Sequence, residues 1–306
     1  MAARPKVAVL AGPTAVGKTQ VALAVAPELG AEIVNADSLQ VYRELDIGTA
    51  KPTPAERARV PHHLIDLVAP PEPFDAARYL TLARAVIADL TRRGVPPLVV
   101  GGTGLYIKAL LGGLFPEGGQ YPDLRARLRQ ELAELGLPAL YERLTRLDPA
   151  TAARLPPGDT YRILRALEVV EGSGTPLSVL AAAHRFSDRP YETLKLGLIL
   201  PREELYARIE ARVEAMLAAG WLAEVEALLR RYPPDLKPLR ALGYRHLVAY
   251  LKGETGLAEA VAAIKRDTRR YAKRQLTWFR ADPEIRWFHP RDLPEMLALL
   301  KEFFQK

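Results

Sequence analysis

The chain has 306 residues, 49% of them hydrophobic and 26% charged, which is the composition of an ordinary globular protein and excludes wholesale disorder. It contains no cysteine, so disulfide scaffolds, thiol catalysis and cysteine-ligated zinc are excluded, and no run approaches the ~18 apolar residues of a membrane span. The formal net charge of +7 is uneven: residues 1–115 carry 12 basic and 10 acidic side chains, residues 116–190 carry 10 of each, and residues 191–306 carry 21 and 16, so the surplus that suits a polyanion sits in the C-terminal third. At the N-terminus, MAARPK is too short and wrongly flanked for a secretory signal, and a soluble cytoplasmic protein is expected. Short apolar runs then read as strands at 6–11 (KVAVLA), 31–37 (AEIVNAD), 62–68 (HHLIDLV), 96–102 (PPLVVGG) and 194–200 (LKLGLIL), with helical patterns at 18–29 and 75–93. Strands alternating with helices imply a buried parallel sheet. The spacing breaks after the fourth strand. Residues 122–170 read as helical, and 116–190 is expected to be a helical insertion into an α/β core formed by 1–115 and 191–306, which ends in long helices at 202–231, 238–252 and 257–280. The five histidines, His62, His63, His184, His246 and His289, follow no metal-ligand spacing.

Residues Gly12, Pro13, Thr14, Ala15, Val16, Gly17, Lys18 and Thr19 spell G-x-x-x-x-G-K-T between a predicted strand and a predicted helix, the context this phosphate-binding loop requires. Gly12 and Gly17 permit the tight turn that aims successive N–H groups inward, and the following helix adds its positive end. Lys18 brings a mobile cation to terminal phosphate oxygens, and Thr19 offers a hydroxyl to Mg²⁺. The motif points to a bound polyphosphate or diphosphate, not to nucleotide hydrolysis as such. An ordinary nucleotide hydrolase has an apolar strand ending in a magnesium-holding Asp. Here PPLVVGG ends in Gly-Gly-Thr, and Asp66 lies in mid-run.

In a parallel α/β sheet the C-terminal strand ends line the ligand crevice, which places Asp37 and the Gly101–Thr103 turn beside the phosphate loop. Asp37 there is either a general base or metal holder, or a turn cap, since Asp-Ser is good capping chemistry.

Together these segments resemble one family, the bacterial-type tRNA dimethylallyltransferases (tRNA isopentenyltransferases). The resemblance runs in order through GPTAVGKT (12–19), NADSLQVYRELDIGTAKP (35–52), PHHLID (61–66), VGGTGLYIKALL (100–111), YRILRALEV (161–169), RIEARVEAML (208–217), LRALGYRHL (239–247) and TRRYAKRQLTWFR (268–280). It implies transfer of the dimethylallyl group of dimethylallyl diphosphate to N6 of adenosine 37 of tRNA, with Mg²⁺ as cofactor and diphosphate released. It also implies an α/β fold: a P-loop parallel-sheet core with flanking helices, a helical insertion along the anticodon stem, and C-terminal helices. Carried over by position, the catalytic groups are Asp37 as general base with Thr14, Lys18 and Thr103. Arg212 clamps the diphosphate, with Arg208 one helical turn away; a surface ion pair with a nearby Glu is the other reading of either arginine. Asp37, Ser38, Leu39, Gln40, Thr103 and Arg125 surround the nucleotide. Tyr161, Arg162, Arg165, Arg240, Arg245, Arg266, Arg269, Arg270 and Lys273 face the tRNA, and Arg125, Arg127 and Arg129 are expected to turn toward RNA with their acids turned away. The crowding of Lys265, Arg266, Arg269, Arg270, Lys273 and Arg274 around a single acid, Asp267, independently suits a polyanion. Tyr271 and Trp278 are candidates for base stacking, with core packing the other reading of each and the one expected for Trp278 beside Phe279. Two residues depart from the family pattern: Glu44 stands where a glycine is usual, and an acid there is expected to repel phosphate; Val16 replaces a small polar residue. A monomer is expected. The competing readings are a P-loop small-molecule kinase using ATP, which leaves the basic C-terminal helix unexplained, and a non-catalytic RNA-binding switch, which does not need Asp37.

Overall fold

KVAVLA forms strand β1 (Lys6–Ala11), and its alternate side chains serve two cores. Val7, Val9 and Ala11 pack on one face of the sheet, Ala8 and Leu10 on the other, the period-2 arrangement of a strand covered on both sides. The chain, in a computed structural model that describes residues 4–114, 121–184 and 188–305, continues as α1 (Lys18–Leu29), β2 (Glu32–Asn35), α2 (Pro54–Arg59), β3 (His62–His63), α3 (Ala76–Arg92), β4 (Pro97–Gly101) and α4 (Gly104–Gly112). After α5 (Pro122–Leu147), α6 (Pro149–Ala152), α7 (Thr160–Ser173) and α8 (Leu177–His184) come β5 (Glu192–Leu198), α9 (Arg202–Ala218), α10 (Trp221–Arg231), α11 (Tyr244–Leu251), α12 (Leu257–Arg280), β6 (Ile285–Phe288) and α13 (Leu293–Gln305). The strands pair in parallel in the order β3-β2-β4-β1-β5-β6, the α/β architecture expected.

The chain divides into two compact units, Met1–Leu111 with Pro190–Lys306, and Gly112–Arg189. The second unit packs Leu128, Leu140 and Leu144 of α5 against Ile163, Ala166 and Leu167 of α7. Its buried Glu168 accepts Arg125 through both carboxylate oxygens and lies 3.1 Å from Arg165.

Several elements differ from the sequence expectation. The third strand stops at His63, because Leu64 and Asp66 adopt positive φ (64° and 56°) and cannot continue a ladder. The helix over 202–231 breaks at Gly220 (φ 97°), and 122–170 is interrupted at Gly136 (φ 78°) and again between α5, α6 and α7. Helix α11 starts at Tyr244, later than residue 238. The strand β6 and the helices α2, α4, α8 and α13 were not among the expected elements.

Candidate active site

Three strand ends converge at the C-terminal edge of the sheet. Beyond β1, residues 12–17 turn through positive φ at Gly12 (147°), Ala15 (63°) and Gly17 (105°), and α1 begins at Lys18. A side chain on Gly12 would meet the Leu198 carbonyl at 2.9 Å. The two glycines therefore serve the turn, and Ala15 takes a third left-handed position that its identity did not signal. Val16 is fully buried against the sheet. Its departure from the family pattern is thus a core residue that leaves the phosphate-facing surface unchanged. The Lys18 ammonium donates to the carbonyls of Gly12 (2.9 Å) and Pro13 (2.7 Å).

Beyond β2, Asp37 sits in a turn fixed by buried Asn35, whose Oδ1 accepts the Asp37 N–H (3.2 Å) while its Nδ2 donates to the Leu64 carbonyl (3.0 Å). Asp37 Oδ1 accepts the N–H groups of Leu39 (2.9 Å) and Gln40 (3.4 Å); among the described residues no hydrogen bond falls on Oδ2. The capping role and an available carboxylate oxygen therefore coexist in one side chain. Beyond β4, the Thr103 hydroxyl accepts the Ser38 N–H (3.0 Å), and the Thr103 N–H donates to the Ala36 carbonyl (3.1 Å). Gln275 of α12 closes the set: it accepts the Thr14 N–H and donates to the Gly102 carbonyl.

These ends open on one cavity of about 1290 Å³ lined by Thr14, Lys18, Thr19, Asp37, Gln40, Arg208, Arg212, Tyr271 and Gln275, among others. At its phosphate-loop end Lys18, Arg208 and Arg212 gather near Asp37. Burial, reinforced by Arg212 and opposed by Asp37, lowers Lys18 to about 7. Burial also lowers Arg212, and Asp37 again pulls the other way. Arg212 has no ion-pair partner among the described residues. Arg208, by contrast, bonds to Glu204 (2.9 Å) while standing near Gly17. Tyr271 is pushed up to about 12 by burial and by Asp37. One carboxylate thus acts electrostatically on Lys18, Arg212 and Tyr271 together.

The loop that follows Gln40 is pinned from below. Glu224 of α10 accepts the N–H groups of Asp46 (2.9 Å), Ile47 (2.6 Å) and Gly48 (3.2 Å) and the Tyr244 hydroxyl (2.6 Å). A Cβ on Gly48 would lie 2.0 Å from the Trp221 indole nitrogen, so only glycine fits there. Lys51, buried, bridges Asp46 and Asp66, and Arg57 also holds Asp66. Burial pushes the Asp66 carboxyl up, but its bonds to Lys51 and Arg57 outweigh this and hold it below the usual carboxylate range. Asp66 is thus an anchor of this loop. Gln40 donates to the carbonyls of Thr49 (3.1 Å) and Ala50 (3.2 Å). Asn35, Gln275 and Glu224 were not among the sequence candidates. Each also holds at least one backbone group far along the chain, a partnership that leaves no local signature.

Glu44 occupies a left-handed position (φ 70°), which is why a glycine suits this place. Its carboxylate is bound by Arg231 and by the Tyr232 hydroxyl (2.9 Å), so the repulsion expected from an unpaired acid is answered within the protein. Trp278 corrects another expectation. Phe279 enters the core, but Trp278 is 45% exposed, lying against Gly104 with the Lys108 ammonium 5.7 Å from its ring centre.

The remaining basic candidates divide. Arg266 and Arg270 are exposed around Asp267, which also holds Arg245 (2.8 Å) and His246 (3.1 Å); Lys273 is exposed. Arg269 instead turns to Glu210 (2.5 Å) of α9. Arg240 is exposed and 3.5 Å from Asp235. In the second unit Tyr161 is 80% exposed and Arg162 pairs with Asp159. Arg125 and Arg127 do not have their acids turned away: they bind Glu168 and Glu171. Arg129 is exposed.

Residues 40–282 match the IPP transferase family and residues 5–65 the isopentenyl transferase family. The tRNA dimethylallyltransferase of Syntrophobacter fumaroxidans is 59% identical over 293 residues, covering 95% of this chain and 86% of that one. The tRNA dimethylallyltransferase of Geobacter sulfurreducens is 50% identical over 303 residues, covering 98% and 97%. Among solved structures, the tRNA isopentenylpyrophosphate transferase of Bacillus halodurans has a TM-score of 0.74 at 36% identity, covering 99% of this chain and 97% of that one. A eukaryotic dimethylallyltransferase acting on tRNA has a TM-score of 0.81 at 29% identity, covering 95% and 75%. These likenesses favour a prenyl-transferring enzyme over the ATP-dependent kinase. With a family match across most of its length and relatives at least half identical to it nearly end to end, the chain belongs to the IPP transferases, the tRNA dimethylallyltransferase family.

Proposed function

We propose that the protein transfers the dimethylallyl group of dimethylallyl diphosphate to N6 of adenosine 37 in tRNA. The observation that carries this reading is the meeting of Asp37 with Lys18 and Arg212 in one cavity at the mouth of the phosphate loop. Lys18, Arg212 and the N–H groups of residues 15–19 hold the diphosphate, and Arg208 stands at the rim. Pro13 has no N–H, and that of Thr14 is bonded to Gln275, so the phosphate-facing row starts at Ala15. In the reaction N6 forms a bond to C1 of the allyl group as the C1–O bond breaks, and the electron pair of that bond leaves on the diphosphate. The N6 proton passes to Asp37, whose Oδ2 is the free oxygen. An exocyclic amine is a poor nucleophile because its lone pair is conjugated with the ring, and general-base help is worth about 10²–10⁴-fold.

The donor set suits Mg²⁺. Thr19 offers a hard hydroxyl oxygen at the cavity wall, and no cluster of three or more His, Cys, Asp or Glu among the described residues competes for a softer ion. Thr19 would hold the ion, with its other ligands from diphosphate and water. When bound, Mg²⁺ supplies charge neutralisation to the departing diphosphate.

Adenosine 37 leaves its stack to reach the cavity, at a cost of a few kcal/mol that is smaller in a loop than in a duplex. Ser38, Leu39, Gln40 and Thr103 receive it, and Tyr271 offers an aromatic wall. The exposed faces of α12 and α11 and the Tyr161–Arg165 segment take the RNA backbone, the second unit along the anticodon stem. The enzyme acts as a monomer in the cytoplasm. No helix among the described residues is long and apolar enough to cross a membrane.

The test is labelled dimethylallyl diphosphate with unmodified tRNA and Mg²⁺. Label moves to tRNA, ATP releases no phosphate, and Asp37→Ala abolishes transfer with tRNA still bound. Consumption of ATP with no prenyl transfer would return the kinase reading.

A further inference from the structure

Helix α12 turns Arg266, Arg270, Lys273 and Arg274 to solvent and the polar Gln275 inward. Gln275 is 7% exposed, and both ends of its amide are spent on backbone. Oε1 accepts the Thr14 N–H at 2.9 Å, and Nε2 donates to the Gly102 carbonyl at 2.8 Å. The two partners follow β1 and β4, which are neighbours in the sheet. Thr14 belongs to the phosphate loop. Gly102 precedes Thr103, whose hydroxyl holds the Ser38 N–H next to Asp37. The fit at Gly102 is tight: a Cβ there would lie 2.4 Å from Gln275 Nε2. A neutral amide can accept at one end and donate at the other, and a buried group of this kind is costly to replace because its backbone partners are left unpaired.

We propose that Gln275 is a positioning residue that sets the spacing between the diphosphate cradle and the loop carrying the general base. The proposal rests on the prenyl-transfer reading above. Through Thr14 the amide fixes the first turn of the cradle. Through Gly102 and Thr103 it fixes the turn that presents Asp37. Bond formation needs the allylic carbon and the amine at near-contact distance, and a misplacement of about 1 Å costs on the order of 10²-fold. Gln275 touches neither reacting group in this scheme; it acts through the two backbone segments.

The test compares single-turnover prenyl transfer at saturating tRNA and dimethylallyl diphosphate for wild type, Gln275→Leu and Gln275→Glu. The pH runs from about 5.5 to 8.5, a range that spans titration of a buried glutamate. Melting temperature and tRNA binding are measured in the same buffers. Gln275→Leu slows the bond-forming step by about 10²-fold while tRNA affinity stays within about twofold. Gln275→Glu is as slow at high pH, where a carboxylate faces the Gly102 carbonyl. It approaches wild type as pH falls, because the neutral acid accepts from Thr14 and donates to Gly102 as the amide does. A ratio of Gln275→Glu to wild type that is flat with pH in a folded protein, or rates within about twofold of wild type for both variants, overturns the positioning role. If Gln275→Leu fails to fold, the pH course of Gln275→Glu decides alone. Absence of transfer by wild type overturns the functional reading and this role with it; normal transfer by the variants overturns this role only.

Discussion

The Thr103 hydroxyl accepts the Ser38 N–H at 3.0 Å and so ties the end of β4 to the residue that follows Asp37. Thr103→Val preserves shape but leaves that N–H unpaired, a loss of about 1–3 kcal/mol where the group is buried. It should slow prenyl transfer by about 10-fold or more through a displaced Asp37. Thr103→Ser keeps the acceptor and should stay near wild type. Single-turnover rates and melting curves of the two variants check this.

Lys18 makes ligand binding and stability depend on pH in opposite senses. The folded protein holds it at about 7 against an ordinary value of 10.5. Between about 7 and 10.5 the unfolded chain binds the additional proton, so the contribution of this group to stability rises with pH across that window. Diphosphate, in contrast, favours the ammonium form. Its affinity relative to Lys18→Met should fall as pH rises above about 7, by up to about tenfold per pH unit. Calorimetry with inorganic diphosphate in buffers of different ionisation enthalpy should show proton uptake in wild type that Lys18→Met lacks.

The outward face of α12 should govern the salt dependence of RNA binding. Burial pushes the Asp267 carboxyl up, yet its bonds to Arg245, His246 and Arg266 outweigh this and hold it near 2. It stays ionised and offsets part of the surrounding charge; Arg270 beside it is exposed, as is Lys273 further along the helix. Replacing both with Ala should weaken tRNA binding and flatten its log–log salt slope by up to ~2. Titrations between low and moderate salt measure it; an unchanged slope removes α12 from the interface.

Glu44 combines an unfavourable backbone conformation with a favourable side-chain contact, and the two are separable. Glu44→Ala keeps the left-handed φ and loses Arg231 and Tyr232. Glu44→Gly loses the same contacts but relieves a strain of about 1–2 kcal/mol. Glu44→Gly should therefore melt above Glu44→Ala, as calorimetry can show.

The parts of the fold and site written in contiguous residues were legible in the sequence. The phosphate loop, the apolar strands and the strand-end position of Asp37 follow from spacing and from the rule that parallel strand ends gather at one edge. What was not legible depends on partners remote in sequence. Gln275 reads as one more polar residue in a basic helix until Thr14 and Gly102 are seen beside it. Arg125 reads as having its acids turned away until Glu168, buried on another helix, takes the Nε–Nη2 edge of its guanidinium. HHLIDLV reads as a strand because its apolar residues satisfy the pattern, yet Lys51 and Arg57 hold Asp66 in a turn.

The sheet order has a consequence for synthesis. Strand β1 lies between β4 and β5, and the whole segment Gly112–Arg189 separates those two neighbours along the chain. A nascent polypeptide can therefore pair its first strand on one side only until the intervening helices have left the ribosome. During that interval β1 presents an apolar, unpaired flank of the kind that recruits foreign strands. Early compaction of the intervening helices shortens the distance its ends must travel, and so reduces the entropic cost of bringing β5 home.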